Sequence, residues 1–207
     1  MDSLTRNRTT VRSYEAIARE YAVSTAGTPS GVGEAGMRRL VAAVPRGATI
    51  LELGSGPGWD ADFVESLGPR VRRTDVTSAF REFQTQRGKQ VEPLDAITDA
   101  YTDDDNPAYD GIMALAVLQH IDRAATDAVL GKVAQALRPG GAFLVTTREG
   151  TGDYWDVGSS GNRYHVTLWA ADAFSARMAA AGLTPVWSAR SLNDDEAWFT
   201  VLARRSS

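Results

Sequence analysis

Cysteine is missing from the chain altogether, which excludes disulfides, thiolate metal sites and a cysteine nucleophile. Histidine is almost as scarce. His120 and His165 are the two that occur, so any imidazole acid–base chemistry falls to one of them. Lysine is confined to Lys89 and Lys132, leaving arginine to carry nearly all positive charge. No apolar run approaches the roughly 20 residues of a membrane-spanning helix. The opening MDSLTRNRTTVRSYEA has no apolar signal core. The expectation is a cytoplasmic protein without a membrane partner. A concentrated basic face is lacking too. Net charge is −4, and the densest basic cluster, Arg70, Arg72 and Arg73, flanks a predicted strand and reads as a solvated edge. Nucleic acid is therefore not an expected partner. Asp103-Asp104-Asp105-Asn106-Pro107 carries turn-forming residues, and adjacent carboxylates without spaced partners seldom form a cation cage, so no metal is expected.

The chain does have enough apolar content for a full core: 43 % over 207 residues suits one domain of ordinary size. From residue 48 onward, strand and helix patterns alternate, as in a parallel α/β sheet. Strands are read at 49–53, 71–76, 90–94, 111–118 and 142–147, with helices at 59–67, 79–87 and 123–137. Arg138-Pro139-Gly140-Gly141 stops the last of these. A polar, aromatic-rich insert follows. The helix at 171–181 is closed by Gly182, and an antiparallel pair, 184–190 and 197–204, turns at 193–196. Ahead of the sheet, helices at 11–22 and 34–44 flank a glycine-rich stretch. The expected organisation is one domain, 1–207: a helical lid at 1–45, a ligand-binding core at 46–147, a substrate-side insert at 148–170, and a terminal helix and hairpin at 171–207.

The most informative segment is Leu51 to Gly58, LELGSGPG. A short β-branched and aliphatic run ends in an acid, and three glycines follow at alternate positions before an amphipathic stretch begins at Trp59. Strand, glycine turn and helix in that order make a nucleotide-binding loop, because glycine admits a ligand where any Cβ would collide. Dinucleotide folds want G-x-G-x-x-G. Here Trp59 stands where that pattern needs glycine, and Glu52 precedes the first glycine. A carboxylate there repels pyrophosphate and suits a ligand with an ammonium group.

This E-x-G-x-G-x-G run resembles motif I of the class I S-adenosylmethionine-dependent methyltransferases. The resemblance continues in order along 48–147. Thr74-Asp75-Val76-Thr77 looks like the family's strand end whose acid holds the ribose hydroxyls, although Asp75 also reads as a helix N-cap. Glu92-Pro93-Leu94-Asp95-Ala96 matches the segment in which Asp95 meets the adenine amino group. Tyr109-Asp110 through Leu118-Gln119-His120 resembles the strand-four motif, and Leu137-Arg138-Pro139-Gly140-Gly141 the turn before strand five. Tyr14-Glu15-Ala16-Ile17-Ala18-Arg19-Glu20-Tyr21 is similar to the lid helix, whose tyrosines approach the methionine carboxylate; packing of both rings on the core is the other reading.

The resemblance implies a Rossmann-like α/β sheet, mostly parallel, with an antiparallel C-terminal hairpin and an N-terminal helical lid. It implies S-adenosylmethionine as cofactor, S-adenosylhomocysteine as product and a small-molecule acceptor, in a monomer or homodimer. The implied cofactor-binding residues are Tyr14, Tyr21, Glu52, Gly54, Ser55, Gly56, Gly58, Asp75, Val76, Asp95, Ala96, Ala114 and Leu115. The insert supplies Arg148, Tyr154, Trp155 and Tyr164 as substrate-side candidates, set among charges; the alternative is that Tyr154 and Trp155 only cover the sheet edge.

Methyl transfer is an in-line displacement, so the protein mainly aligns nucleophile and methyl and excludes water. A base is needed only for an acceptor protonated at working pH, and His165, His120 and Glu149 are the candidates. The chain departs from plant-type O-methyltransferases here: Gln119 stands where their base histidine follows the strand-four leucine, and His120 comes one residue later. The D/N-P-P-Y/F tetrapeptide of amino-DNA methyltransferases is replaced by Ala116-Val117-Leu118-Gln119. Two other readings stay open: a fold of this type binding the cofactor as a cyclase, regulator or partner subunit, and an NAD-dependent oxidoreductase, which Trp59 and Glu52 disfavour.

Overall fold

Ile50, Leu51 and Leu53 are fully buried, as the aliphatic run at 49–53 requires of a strand covered on both faces. In the computed structural model, which describes residues 2–158, 161–193 and 195–206, this run is β1 (Thr49–Leu53). It pairs in parallel with β2 (Arg70–Thr74) and β3 (Tyr109–Leu115). Beyond β3 lies parallel β4 (Leu137–Arg148); β5 (Asp153–Val157) and β6 (Arg163–Thr167) form a separate antiparallel ribbon. The terminal strands β7 (Leu183–Asn193) and β8 (Glu196–Arg205) complete the main sheet as an antiparallel pair, β8 lying antiparallel beside β4, in the order β2-β1-β3-β4-β8-β7. The sheet is thus mostly parallel with an antiparallel terminal pair, as expected.

Alternate residues of each central strand go to opposite faces. Leu51, Ile112, Phe143 and Val145 join Phe174 and Phe199 on one side. Ile50, Met113 and Leu144 meet Met37 and Leu40 on the other. The helices are α1 (Ser3–Ser24), α2 (Gly31–Ala43), α3 (Trp59–Ser66), α4 (Ser78–Gln86), α5 (Arg123–Ala136) and α6 (Ala171–Ala180). Among the described residues no helix is long and apolar enough to cross a membrane. The strand order reverses between β1 and β3, and ligand crevices of open α/β sheets form outside the strand ends at such a switch point.

Several expectations need correcting. The strand read at 90–94 is absent. Glu92 makes one isolated parallel bridge with Thr74, donating to the Arg73 carbonyl and accepting from the Asp75 amide; Pro93 has no N–H with which to extend the ladder. β3 stops at Leu115, not 118, because Ala116 takes φ +57° and starts a turn that continues through a 3₁₀ segment, Leu118–His120. A left-handed alanine is costly enough to mark a constrained site. The 138–141 turn lies inside β4, whose pairing with β3 shifts register between Tyr109 and Gly111. α1 begins at Ser3, not 11, because the Asp2 carboxylate accepts from the Thr5 amide at 2.8 Å and caps it. The turn read at 193–196 contains Asp194, which lies outside the described residues.

Of the basic cluster only Arg70 is exposed as a solvated edge would be. Arg73 is 3 % exposed, and its guanidinium reaches Asp62, Glu65, the Gln84 amide oxygen and the Gly58 carbonyl. Arg72 binds Glu92, Asp103 and the Tyr109 hydroxyl.

α1 is fastened across the strand ends by its polar residues. Ser13 exchanges hydrogen bonds with the Arg163 backbone, and Thr10 Oγ1 accepts from the His165 amide. Glu15 accepts from Ser78 N, Ser78 Oγ and Ala79 N, and so caps α4 from another helix. Replacing Glu15 with alanine leaves those amides unpaired. We expect a loss of about 1–3 kcal/mol in chemical denaturation together with faster hydrogen exchange in α1. Unchanged exchange there would show that the helix is held by its other contacts.

Candidate functional site

The three loop glycines are needed for two different reasons. All have left-handed φ: +65° at Gly54, +52° at Gly56 and +87° at Gly58. A Cβ on Gly54 would lie 2.6 Å from Val117 Cγ2, and one on Gly58 would strike the Gln84 amide. Those two glycines serve packing. A Cβ on Gly56 would meet nothing within 4 Å, because that space is a cleft.

The cleft measures ≈ 890 Å³, counted to its open mouth, within the range of small-molecule sites. Its floor is Gly54, Ser55 and Gly56 at the end of β1. Asp75 and Val76 line it beyond β2, and Leu94, Asp95 and Ala96 close one end. Leu115 and His120 come from the β3 side, Tyr14 and Tyr21 from α1. Most of the expected cofactor residues therefore share one cavity.

Three do not line it. Gly58 sits behind the loop. Ala114 is fully buried in the core on the α5 side, since alternation along β3 turns Leu115 to the cleft instead. Glu52 is 3 % exposed, and its Oε2 has no partner among the described residues. Residues missed by the sequence reading also line the cleft: Asn7, which donates to Asp95 at 3.2 Å, and Asp60. Asn7 lies before the helix start that was read, and Asp60 follows the glycines directly on α3.

The electrostatics of the cleft are one-sided. No lysine or arginine is among the residues lining it, while Asp60, Asp75 and Asp95 are. Burial raises the Asp75 carboxyl, opposed by hydrogen bonds from Thr77 N and Gly56 N, both 2.7 Å. Burial also lifts Glu52 well above the usual carboxylate range and pushes Asp60 up to about 6. The Tyr14 and Tyr21 hydroxyls are raised by burial as well.

His120 forms part of the wall. Its Nδ1 lies 2.9 Å from the His165 carbonyl, which can only accept, so the ring proton is on Nδ1. Nε2 is then free to accept from the Tyr14 hydroxyl at 3.0 Å. Burial pushes the ring down to about 4.

The insert residues do not line the cleft. Tyr164 is nearest, its ring centroid 4.9 Å from that of Tyr14. Arg148 binds the Tyr154 hydroxyl at 2.6 Å and pairs with Asp156 and Glu196. Trp155 packs against His165 across the β5–β6 ribbon. His165 is 1 % exposed, and its Nε2 lies 3.1 Å from Asp153 and 3.2 Å from Arg6, on the ribbon face away from Tyr164. Glu149 is held by Arg190, whose hydrogen bonds lower its carboxyl. Among the described residues no group of three His, Cys, Asp or Glu is placed to hold a metal ion.

A family model described as a methyltransferase domain matches residues 33–189. No curated protein sequence matches the chain. Solved structures do. The 1,6-didemethyltoxoflavin-N1-methyltransferase of Burkholderia thailandensis, solved with its substrate and S-adenosylhomocysteine, is 21 % identical, with TM-score 0.70 over 100 % of this chain and 92 % of that one. DhpI, in its SAH complex, is 20 % identical with TM-score 0.77 over 99 % of each chain. The [4+2]-cyclase SpnF is 15 % identical, with TM-score 0.72 over 97 % of this chain and 96 % of that one. At these identities the likeness is one of fold.

The buried imidazole sets a pH dependence. An unfolded histidine takes its proton near pH 6.5, whereas folded His120 waits until about pH 4. Between those limits the unfolded state alone binds the proton. Stability from this group is complete above about 6.5 and falls as pH drops towards 4, with a slope of about 1.4 kcal/mol per unit. We expect His120→Gln to lose less stability than the parent across that window. Parallel denaturation curves for the two proteins would contradict the neutral, buried ring.

Proposed function

The chain belongs to the methyltransferase domain family, and from that premise we propose that it moves a methyl group from S-adenosylmethionine to an oxygen, nitrogen or carbon nucleophile of a small-molecule acceptor. One observation carries the reading: a glycine-floored cleft at the β1/β3 switch point, lined by spaced acids and by no lysine or arginine. A phosphate-bearing ligand would find only repulsion there. A nucleoside with a cationic tail suits it.

The residues present fit that cofactor. Asp75 has lone pairs left for a ribose diol after its two backbone bonds. Asp95, flanked by Leu94 and Ala96, suits the adenine amino group. The unpartnered oxygen of Glu52 suits an ammonium, directly or through water. Gly56 leaves the space for close approach. Bound there, S-adenosylmethionine supplies a methyl carbon already activated by its sulfonium.

What the chain then contributes is chiefly alignment and exclusion of water, worth on the order of 7 kcal/mol when orientation is good. α1 lies over the cleft with Tyr14 and Tyr21 and can keep water from the reacting atoms. For proton handling we choose His120 over His165 and Glu149. Its Nε2 lies on the cleft side, hydrogen-bonded to Tyr14, whereas the other two are engaged by Asp153 and Arg190. A ring pushed down to about 4 is a weak base, so the acceptor must be nucleophilic as it arrives or fairly acidic. We take 1–207 as one domain working in the cytoplasm. The absence of basic cleft residues argues against a nucleic-acid acceptor.

The fold neighbour SpnF, a [4+2]-cyclase, and the weakness of the base favour a second reading: cofactor binding without methyl transfer. Purified protein with methyl-labelled S-adenosylmethionine and small-molecule extract separates the two. Label appearing in an acceptor is the expected result; cofactor binding with no transfer to any acceptor favours the second. Asp75→Ala should weaken S-adenosylhomocysteine at least tenfold by calorimetry, since each hydrogen bond to a charged group contributes about 1.5–3 kcal/mol. Undiminished affinity in a folded variant would place the ribose elsewhere.

A further inference from the structure

Two neutral groups meet at the wall of the cleft, and the direction of the bond between them decides what the wall can offer. His120 Nδ1 is committed to the His165 carbonyl at 2.9 Å, so Nε2 carries a lone pair. The Tyr14 hydroxyl, 3.0 Å away, therefore donates to it. Gln119 Nε2 approaches the same nitrogen at 3.4 Å, and an amide nitrogen also can only donate. With its proton engaged by His120, the Tyr14 oxygen turns lone pairs alone to the cleft that both rings line. The two residues belong to distant segments, α1 and the turn after β3. Their contact is held from outside: Thr10 and Ser13 fasten α1 to β6, and the Tyr14 ring packs on Tyr164 and Phe80, centroids 4.9 and 5.8 Å apart.

Burial keeps both groups uncharged at neutral pH, raising the Tyr14 hydroxyl and pushing His120 down to about 4. Charged groups from three elements act on the imidazole: Arg148 of β4 and His165 of β6 lower it further, and Asp156 of β5 opposes them. Tyr14 and Tyr164 cover the ring from α1 and β6. Since no lysine or arginine lines the cleft, nothing there holds an acceptor as its anion. An acceptor with a proton on its nucleophilic atom must arrive with that proton in place, and a wall that accepts hydrogen bonds suits it.

We propose that Tyr14 is the residue that touches the acceptor, a neutral hydroxyl group, and that it relays the acceptor's proton to His120. The inference rests on the methyl-transfer reading above and narrows its acceptor to oxygen. In the displacement a lone pair of the hydroxyl oxygen forms the new O–C bond, while the C–S pair stays with sulfur. The hydroxyl proton passes to Tyr14 Oη as Tyr14's own proton passes to His120 Nε2. Tyr14 ends neutral, and His120 ends as an imidazolium whose Nδ1–H remains on the His165 carbonyl. Loss of that proton to solvent restores the pair. A strong base is not needed. A hydroxyl that has gained a methyl holds its proton as an oxonium, far more acidic than an imidazolium titrating near 4. A methylated amine holds its proton to about pH 10 and could not give it to this pair.

The probes are S-adenosylmethionine with an isotopically labelled methyl and a small-molecule extract, with S-adenosylhomocysteine affinity by calorimetry as the independent readout. Tyr14→Phe should bind S-adenosylhomocysteine within twofold of the parent, yet transfer label about 10²-fold more slowly. His120→Gln keeps an oxygen that can accept from Tyr14 but cannot take its proton. It should show the same loss, and the double variant should lose no more than either alone, because the two residues act in series. The label should appear by NMR as a methoxy group. A larger drop in S-adenosylhomocysteine affinity in Tyr14→Phe would assign the hydroxyl to the cofactor's carboxylate and overturn the proposal. So would undiminished transfer in either variant, additive losses in the double variant, or label found only on nitrogen or carbon. A parent that binds S-adenosylhomocysteine but moves label to no acceptor would be a different failure: the methyl-transfer reading itself would fall, and this proposal with it.

Discussion

The carboxylate of Asp75 ties the site together. One oxygen accepts from Gly56 N and the other from Thr77 N, each at 2.7 Å. The end of β2, the glycine loop after β1 and the start of α4 thereby become one unit. Gln84 adds to it from α4, donating to Ser55 Oγ at 3.0 Å and to the Gly56 carbonyl at 2.9 Å. Buried Arg73 donates to the other end of the same amide. Alternate glycines are the segment most costly to order, and these bonds are what hold it. A cleft floor fixed in advance spares a ligand that ordering cost.

Charge is segregated around this unit. No arginine lines the cleft, and several are engaged by acids outside it: Arg73 and Arg87 with Asp62, Arg72 with Glu92, Arg148 with Asp156 and Glu196. The acids that line the cleft, Asp60, Asp75 and Asp95, form no ion pair among the described residues. A buried, unpaired carboxylate destabilises the free chain, and unusual proton affinity of this kind concentrates at functional sites. Whatever cation binds there offsets that cost in proportion to its affinity.

The legible part of the site was the part built from contiguous residues. Gly54 to Gly56 and Asp75 lie within a few residues of the ends of β1 and β2, where a parallel sheet must deliver them to one crevice, and Leu94-Asp95-Ala96 follow directly on the single bridge that Glu92 makes with Thr74. The insert was less legible. Residues 153–157 and 163–167 form a ribbon of their own, and strand alternation turns Tyr164 towards Tyr14 while placing His165 on the opposite face beside Trp155. No composition signal tells which of two adjacent residues a ribbon will face inward. His120 gained its place by the same accident of direction. The left-handed turn at Ala116 and the 3₁₀ segment after it point the imidazole at the cleft.

The sequence by itself determined the class of fold and the chemistry of the cleft floor, because strand periodicity, glycine spacing and the acid before the glycines act over a few neighbouring residues. Tertiary structure alone decided which charges are paired. Arg73 read as a surface residue and is buried; Asp60 and Asp62 are two positions apart on one short helix, yet only Asp62 meets cations. That outcome depends on Arg87 and Lys89, which follow α4, and on Arg73 from β2, all distant in sequence. Coulomb interaction falls with distance in space and is indifferent to distance along the chain, so no local pattern could have announced it.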